Sequence, residues 1–248
     1  MTSTILAARP AAVGKPMTEA AEAPRFGPIL AFWMTLVVVL NGALWLSGFR
    51  STTLSIAVEQ GAARAESQGI GEVSDDLIRK TIHTQHASLP FWTTLALLTD
   101  FLGEPIAIAA RALAVATIFA ALAALSGRPI HYELALAETA AAQGLWVLGL
   151  AVRVGLMIAL RRSDIETSFA LAFPPGPYSA TLWLALRQTD IFALIGWAAM
   201  AIGGWRRGQM NLVNAITVCG LLALGEAALR VTLGLVIGSG MRLAILPR

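Results

Sequence analysis

Five ionisable side chains fall inside long apolar segments of this sequence, and their types limit the chemistry that they could do. The five are Arg111, Glu138, Arg153, Glu226 and Arg230. A charge near the centre of a bilayer costs roughly 3 kcal/mol on insertion scales, so such a group normally faces other helices, water or a partner of opposite sign. The sequence therefore predicts a buried charge network that either fastens helices together or lines a hydrated path.

Spacing along a helix decides which of these charges can pair. Glu226 and Arg230 are four residues apart, so they share one helix face and can neutralise each other. An ion pair that packs the helix is the plainer interpretation, and a gate or relay is the alternative. Glu138 and Arg153 stand about 22 Å apart along a helix, so each needs a partner from elsewhere.

Arg111 has three possible environments in this sequence. It lies near the start of its apolar segment, from which its side chain could extend to interfacial water. It could also meet Glu104, seven residues earlier on the same helix face. A pair with Glu138 or Glu226 across helices would instead create a polar centre in the bundle, and no sequence pattern selects among these arrangements.

Two histidines, His83 and His86, have a spacing that suits metal ligands on one helix face. Asp75, Asp76 or Asp100 could supply a third ligand. Metal sites of this kind need three or four converging ligands, so ordinary surface histidines are the plainer interpretation. We expect no metal and no cofactor, and a metal-dependent membrane enzyme stays only as an alternative.

The sequence lacks the common motifs that identify a catalytic site. It has no glycine-rich phosphate loop, no nucleophile elbow and no cysteine pair, since Cys219 is its single cysteine. We therefore expect a non-catalytic protein without an internal disulfide.

Composition favours a membrane protein and excludes a nucleic-acid binder. Of the 248 residues, 56% are hydrophobic and only 13% are charged, with a mean hydropathy of +0.69. A soluble domain carries about 25% charged residues. The net charge of +3 comes from Lys and Arg residues that stand singly or in pairs between apolar segments. This pattern is typical of membrane topology, so the bilayer is the expected partner and no nucleic acid is expected.

The apolar segments predict an all-α integral membrane protein with a single transmembrane domain at residues 26–248, after a flexible N-terminal tail at 1–25. About five transmembrane helices form the predicted bundle, with one extra interfacial or half-inserted helix and one polar helical loop. The predicted spans are residues 26–49, 105–125, 134–160, 190–205 and 212–238. The polar loop is 51–88 and the interfacial helix is 90–102, with one long tilted helix as the alternative for 89–125.

Small residues predict where helix backbones come close together. Gly203 and Gly204 fall in the fourth predicted span, and Gly234 and Gly238 form a small-xxx-small pattern in the fifth. Such positions serve helix packing within a chain or association with another protein.

The direction of insertion is left open by the charges. With the amino terminus inside, the inner segments hold fewer Lys and Arg residues than the outer ones, which contradicts the positive-inside rule. Either the amino terminus lies outside, or one predicted element does not cross the membrane.

A sequence motif before the fourth span adds a family resemblance. Residues 184–204 contain a leucine-rich lead-in, an aspartate, an aromatic residue, an apolar run and a tryptophan, represented by Asp190, Phe192, Gly196 and Trp197. Together with Gly127, Arg128 and Pro129, this pattern makes residues 90–238 resemble the Yip-domain family of five-span membrane proteins. The tryptophan comes later than in the family pattern, and a polar insert such as 51–88 is characteristic mainly of bacterial relatives.

The resemblance implies a multi-pass protein of the bacterial inner (cytoplasmic) membrane. Some bacterial relatives accompany ABC exporters, so the leading hypothesis is a non-catalytic accessory or scaffold subunit of a membrane complex such as an ABC-type exporter. Its expected partner is another integral membrane protein or a second copy of the chain. The alternative is a small transporter or proton-coupled permease in which Glu138, Glu226 and the buried arginines line a hydrated path.

Overall fold

A computed structural model describes residues 25–69, 74–163, 165, 167–172, 182, 185, 186 and 189–243. The predicted N-terminal tail, apart from Arg25, lies outside these residues. The helices are α1 (Phe26–Leu46), α2 (Phe49–Gly69), α3 (Asp75–Ala87), α4 (Leu89–Leu98), α5 (Glu104–Leu125), α6 (Tyr132–Ala142), α7 (Gly144–Leu160), α8 (Ile191–Arg206) and α9 (Leu212–Leu243). A π-helical turn at Thr99–Gly103 joins α4 to α5, and a 3-10 turn covers Phe169–Ala172. The predicted all-α class is confirmed for the described part of the chain.

Four helical stretches are long and apolar enough to cross a membrane, which fits a polytopic membrane protein. They are Phe26–Leu46, Asp75–Leu125, Tyr132–Leu160 and Leu212–Ile237. The remaining apolar helix, α8, has 16 residues and is about 24 Å long. That length is short of the roughly 20 residues that a complete span requires.

The helical stretches α1, α5, α6 with α7, α8 and α9 alternate in direction, which gives the bundle two ends. At the proximal end, where α1 begins, Arg128 after α5 donates a hydrogen bond to the carbonyl of Gly208 after α8 at 3.0 Å. At the distal end, where α1 finishes, Asn41 donates to the carbonyl of Asp100 in the π turn at 2.7 Å. The polar hairpin of α2 and α3 therefore leaves the bundle at the distal end.

The stretch from α3 to α5 is an almost continuous helical run. It bends at Ser88 and again at the π turn, and each following helix carries a proline, Pro90 or Pro105, in its first turn. Proline is tolerated there because the first-turn amides have no acceptor within their own helix. Residues 89–125 thus combine the two predicted alternatives, since α4 is a separate segment that runs directly into α5.

The predicted third span is divided into α6 and α7 at Gln143. The Gln143 side chain is fully buried, and its amide donates to the Thr139 carbonyl one turn earlier, at 3.2 Å. This one-residue turn places a polar side chain inside the bundle.

Apolar packing closes the proximal half of the bundle. Val115 and Phe119 of α5 pack with Met200 of α8 and Cys219 of α9 in one buried cluster. Gly204 of α8 faces the Phe119 ring so closely that a Cβ at this position would overlap it. These contacts join α5, α8 and α9 in the proximal half.

Candidate functional site

Four charged side chains form a continuous chain of ion pairs across α5 and α9. Arg111 bonds Glu226 through two contacts, Nη2 to Oε1 at 2.5 Å and Nε to Oε2 at 2.9 Å. Arg230, one turn after Glu226, approaches the same Oε1 at 3.0 Å, and its Nη1 lies 3.0 Å from Oε1 of Glu104. We call these four residues the central charge chain. Two carboxylates and two guanidinium groups leave it with no net charge.

Arg111 is the most deeply buried member of the central charge chain. Its side chain is 5% exposed, and about 21 Å of helix separates it from the proximal end of α5 at Leu125. Its Nη1 donates to the side-chain oxygen of Gln143 at 2.7 Å, and its guanidinium lies 4.3 Å from the ring centroid of Trp146. Of the three environments considered from the sequence, the structure has the pair with Glu226 across helices.

The other two predicted network residues lie elsewhere. Glu138 pairs with Arg207 at 2.7 Å near the proximal end, and Arg207 also donates to the Leu134 carbonyl at 2.9 Å. Burial lowers the pKa of Arg207, and the charge of Glu138 opposes this shift. Arg153 donates to the Ile165 carbonyl at 3.1 Å near the distal end. In the described contacts, Glu138 and Arg153 thus lie apart from the central charge chain, toward opposite ends of the bundle.

A cavity of about 310 Å³ extends from the distal end of the bundle to its centre; we call it the vestibule and its distal end the mouth. Phe49, Arg50 and Thr53 line it where α2 leaves the bundle, whereas Arg111 and Trp146 line it near the centre. Small-molecule sites have volumes of roughly 300 to 1,000 Å³, so this cavity is large enough for a small solute.

One wall of the vestibule is fixed by an ion pair at the π turn. Arg50 reaches both oxygens of the Asp100 carboxylate, from Nε at 2.7 Å and from Nη2 at 2.8 Å. The Trp45 indole donates to the same carboxylate at 3.1 Å. These contacts connect the ends of α1, α2 and α4, so they hold the polar hairpin at the mouth of the vestibule.

The opposite wall is formed by the start of α8, which lies inside the bundle. Phe192 faces Gly149 of α7, and Gly196 faces Trp146 one turn deeper. Beyond Gly149, α7 continues to Leu160, about 16 Å at 1.5 Å per residue. Asp190, the residue before α8, forms an isolated β-bridge with buried Ser168.

Asp190 is the N-cap of α8 and lines the vestibule. Its Oδ1 accepts a hydrogen bond from the Phe192 amide at 2.7 Å, and its Oδ2 accepts one from the Thr167 hydroxyl. The amides at a helix start are unsatisfied donors with a positive partial charge, which explains an aspartate at this position.

A second cavity, of about 140 Å³, adjoins the central charge chain. Glu104, Trp146, Asp190 and Ala193 line both cavities, and we call these four residues the junction. Polar side chains line the two cavities from the mouth of the vestibule to Glu226.

No protein-family model, curated protein or solved structure matches this chain. The Yip-domain resemblance therefore stays a prediction from its motif residues. Those residues share one place in the fold: Asp190 caps α8, Phe192 and Gly196 contact α7, and the Trp197 ring meets the Trp146 ring edge-on at 5.8 Å.

The predicted packing glycines have different surroundings. Gly204 packs on Phe119, and Gly203 lies beside the pair of Glu138 and Arg207. Gly234 is exposed on α9, and Gly238 belongs to the same helix, in a part whose side-chain surroundings are not described.

The two candidate metal-binding histidines are exposed, whereas Asp100 is buried and paired with Arg50. His83 and His86 lie on the outer surface of α3. Within the described ranges, no group of three or more His, Cys, Asp or Glu residues converges as a metal site would require.

Several residues that build the site were not selected from the sequence. Asn41, Gln143 and Trp146 contact charged groups or line the vestibule. The sequence does mark Asn41 and Gln143 as unusual, because each is a single amide side chain within an apolar run. Arg50 and Arg207 each follow an apolar run in the sequence, where a basic residue is typical of the end of a span.

Proposed function

We propose that this chain is a non-catalytic membrane transport protein that admits a small polar solute from its distal end to the centre of the bundle. The observation that carries the proposal is the vestibule, which reaches from Arg50 outside the apolar segments to Arg111 inside them. Helix packing alone does not require a polar cavity at this depth in the bundle.

Three interruptions of helical structure next to the cavities support this proposal. They are the π turn before Glu104, the break at Gln143 and the internal start of α8 at Asp190. Irregular backbone at membrane depth is tolerated only where protein buries it or a hydrated cavity solvates it. Interrupted helices around a central site are also a recurrent feature of secondary transporters.

The difference between the two halves of the bundle gives the proposed mechanism its direction. The distal half contains the vestibule, and the proximal half is closed by the cluster around Phe119 and Met200. A solute would enter as far as the central charge chain. Passage then requires Glu226 and Arg111 to separate while α5 and α9 shift relative to α8.

The proposal is tested by solute entry into liposomes that contain the purified chain. Liposomes in iso-osmotic solutions of neutral, anionic and cationic small solutes are followed by light scattering and by uptake of labelled solute. We expect faster entry of one solute class than in protein-free liposomes. Equal entry of every class with and without the protein would overturn the proposal.

A cavity-filling variant separates this flux from leakage. Thr53→Trp places a large ring at the mouth of the vestibule and should abolish the added flux. Thr52→Trp is the matched control, because Thr52 is the exposed neighbour on α2 and does not line the cavity. Equal flux through both variants would show that the solute does not use the vestibule.

An accessory subunit of a membrane complex, with an ABC-type exporter as the partner that the Yip-domain resemblance implies, is the second candidate. Its support is α9, which packs chiefly on α8 and leaves apolar side chains such as Val213, Leu224 and Val236 exposed. Purification from native membranes in mild detergent tests it. A stoichiometric membrane partner that Gly234→Leu releases supports this role, and recovery of the chain alone or with itself counts against it.

A further inference from the structure

The turn between α8 and α9, at the proximal end of the bundle, contains two buried polar side chains with unpaired atoms. We call residues 207–211 the proximal turn. The Arg207 side chain is 7% exposed, and Gln209 is 1% exposed. Within the described part of the chain, Nε and Nη2 of Arg207 and both side-chain polar atoms of Gln209 have no hydrogen-bond partner. Buried polar groups are nearly always hydrogen-bonded, so these unpaired atoms require an explanation.

The guanidinium group of Arg207 has one free edge. Its Nη1 lies 2.7 Å from Oε2 of Glu138 and donates to the Leu134 carbonyl at 2.9 Å. Nε and Nη2 form another edge, whose two donors are unpaired. Arg50 and Arg111 each use the same two nitrogens to bind both oxygens of a carboxylate. The free edge of Arg207 therefore fits an anion that offers two oxygen atoms, such as a phosphate.

Further cationic side chains surround the proximal turn. Arg128, after α5, is exposed and donates to the carbonyl of Gly208 at 3.0 Å, and Arg206 is exposed at the end of α8. Among the described residues, the charged side chains of the proximal end are Arg25, Arg128, Arg206 and Arg207 with Glu133 and Glu138. Residues 1–24 add two basic and two acidic side chains. The proximal end therefore has an excess of positive charge.

The side chains beside these arginines are typical of a membrane surface. Leu125 at the end of α5 and Val213 at the start of α9 are exposed apolar residues. Trp205, next to Arg206, is half-exposed, and tryptophan is enriched at the level of lipid headgroups. Anionic lipids attract basic residues at this level. A ligand with both acyl chains and a phosphate matches this combination of apolar and basic side chains.

We propose that the proximal turn binds the phosphate of an anionic phospholipid, with Nε and Nη2 of Arg207 as paired donors and Arg128 and Arg206 as flanking cations. The Glu138 side chain is 43% exposed, so its pair with Arg207 lies near the surface and a rotation of the Arg207 side chain presents the free edge to a headgroup. The amide of Gln209 supplies a further donor. This site lies at the opposite end of the bundle from the vestibule, so it does not depend on the proposed transport function.

Native mass spectrometry of the purified full-length chain, freed of lipid in detergent, tests the site. The probes are dioleoylphosphatidylglycerol and dioleoylphosphatidylcholine, which share the phosphate and the acyl chains and differ in net charge. We expect saturable binding of phosphatidylglycerol and about tenfold weaker binding of phosphatidylcholine, whose own cation competes with the arginines. Equal binding of the two lipids overturns the proposal.

A competition experiment distinguishes a lipid site from a site for free phosphate. The lipid-bound protein is incubated with sodium phosphate or with sodium chloride at equal ionic strength before the bound lipid is counted. We expect the same retention of phosphatidylglycerol in both salts, because the acyl chains contribute to its binding. Selective displacement by phosphate would assign the proximal turn to a soluble anion and overturn the lipid assignment.

Arg207→Lys separates paired hydrogen bonding from general charge attraction, because lysine keeps the charge and lacks the planar fork. We expect Arg207→Lys and Arg207→Gln to weaken phosphatidylglycerol binding by about tenfold. Arg79→Gln, on the exposed surface of α3, is the control and should bind like the wild type. Wild-type affinity in Arg207→Lys, or an equal loss in Arg79→Gln, overturns the assignment.

Arg128→Gln tests the site without changing a buried residue. Arg128 is exposed, so its replacement leaves the pair of Arg207 and Glu138 in place and should keep the unfolding midpoint close to that of the wild type. We expect about fivefold weaker binding of phosphatidylglycerol, since one basic residue near the membrane surface is lost. Unchanged binding by a folded Arg128→Gln protein overturns the proposal.

Discussion

The guanidinium of Arg111 and the carboxylate of Glu226 meet at two points, 2.5 and 2.9 Å, although 115 residues separate them in the sequence. The pair joins α5 to α9 at about the same depth, since roughly 21 Å of helix separates each residue from the proximal end. It therefore fixes the position of α9 against the rest of the bundle, and any movement that opens the central charge chain must break it.

Glu226→Gln is expected to destabilise the protein strongly. The change removes the negative charge that neutralises Arg111, although the new amide oxygen can still accept a hydrogen bond, and a buried charge that loses its counter-charge typically costs about 3 to 5 kcal/mol. Thermal unfolding in detergent should show a large fall in the midpoint. Glu133→Gln, at the exposed start of α6, is the control and should unfold like the wild type.

A double variant distinguishes loss of the pair from loss of the glutamate alone. Arg111→Met with Glu226→Leu removes both charges, and apolar replacement of a whole buried pair is often neutral or stabilising. We expect much of the lost stability to return. A double variant as unstable as the sum of its two single changes would contradict a direct pairing of these side chains.

Gly196→Ala is expected to disturb the contact between α7 and α8. An added Cβ would overlap the Trp146 ring, and overpacking of this kind costs about 1 to 3 kcal/mol. Gly225→Ala is the matched control, because a Cβ there meets open space and alanine favours the helix by about 0.5 to 1 kcal/mol. Unfolding midpoints for the two variants should move in opposite directions. Equal midpoints would mean that α7 and α8 do not approach as closely as described.

Arg50→Gln is expected to loosen the polar hairpin at the distal end. Asp100 is 7% exposed and would keep the Trp45 indole as its side-chain donor, so the wall of the vestibule loses a contact worth about 1.5 to 3 kcal/mol. Hydrogen exchange of α2 amides should accelerate by about tenfold or more. Arg79→Gln, on the exposed surface of α3, should leave the exchange of α2 unchanged. Similar rates in both variants would show that Arg50 does not hold the hairpin.

How much was predictable depends on whether a feature is local in the sequence. The pair of Glu226 and Arg230 follows from their spacing on one helix, and the helical class follows from the apolar segments. The partner of Arg111 could not be chosen, because Glu104, Glu138 and Glu226 all satisfied the same charge requirement. The choice depends on how α5 and α9 pack, and that packing is set by contacts distant in sequence.

Asp190 illustrates the same limit for the candidate site. The sequence identifies it only as part of a motif and, by its charge, as the start of the fourth predicted span. Its depth in the bundle follows from α8 starting beside Gly149 of α7, where the absence of a side chain lets Phe192 approach. Gly196 of α8 lets Trp146 of α7 approach in the same way. That relationship depends on two helices meeting, so hydropathy could not reveal it.

The central claim is that a water-accessible vestibule opens at one end of the bundle and stops at its centre. Cysteine accessibility in sealed vesicles tests it most directly, using Ala193→Cys and Ala201→Cys in a Cys219→Ala background. Both positions lie on α8, but Ala193 lines both cavities and Ala201 is 2% exposed within the closed half. We expect a membrane-impermeant thiol reagent to label the residue 193 variant from one side of the membrane only, and the residue 201 variant only after unfolding. Absence of labelling at 193 in the folded protein, or labelling from both sides, would contradict a one-sided vestibule.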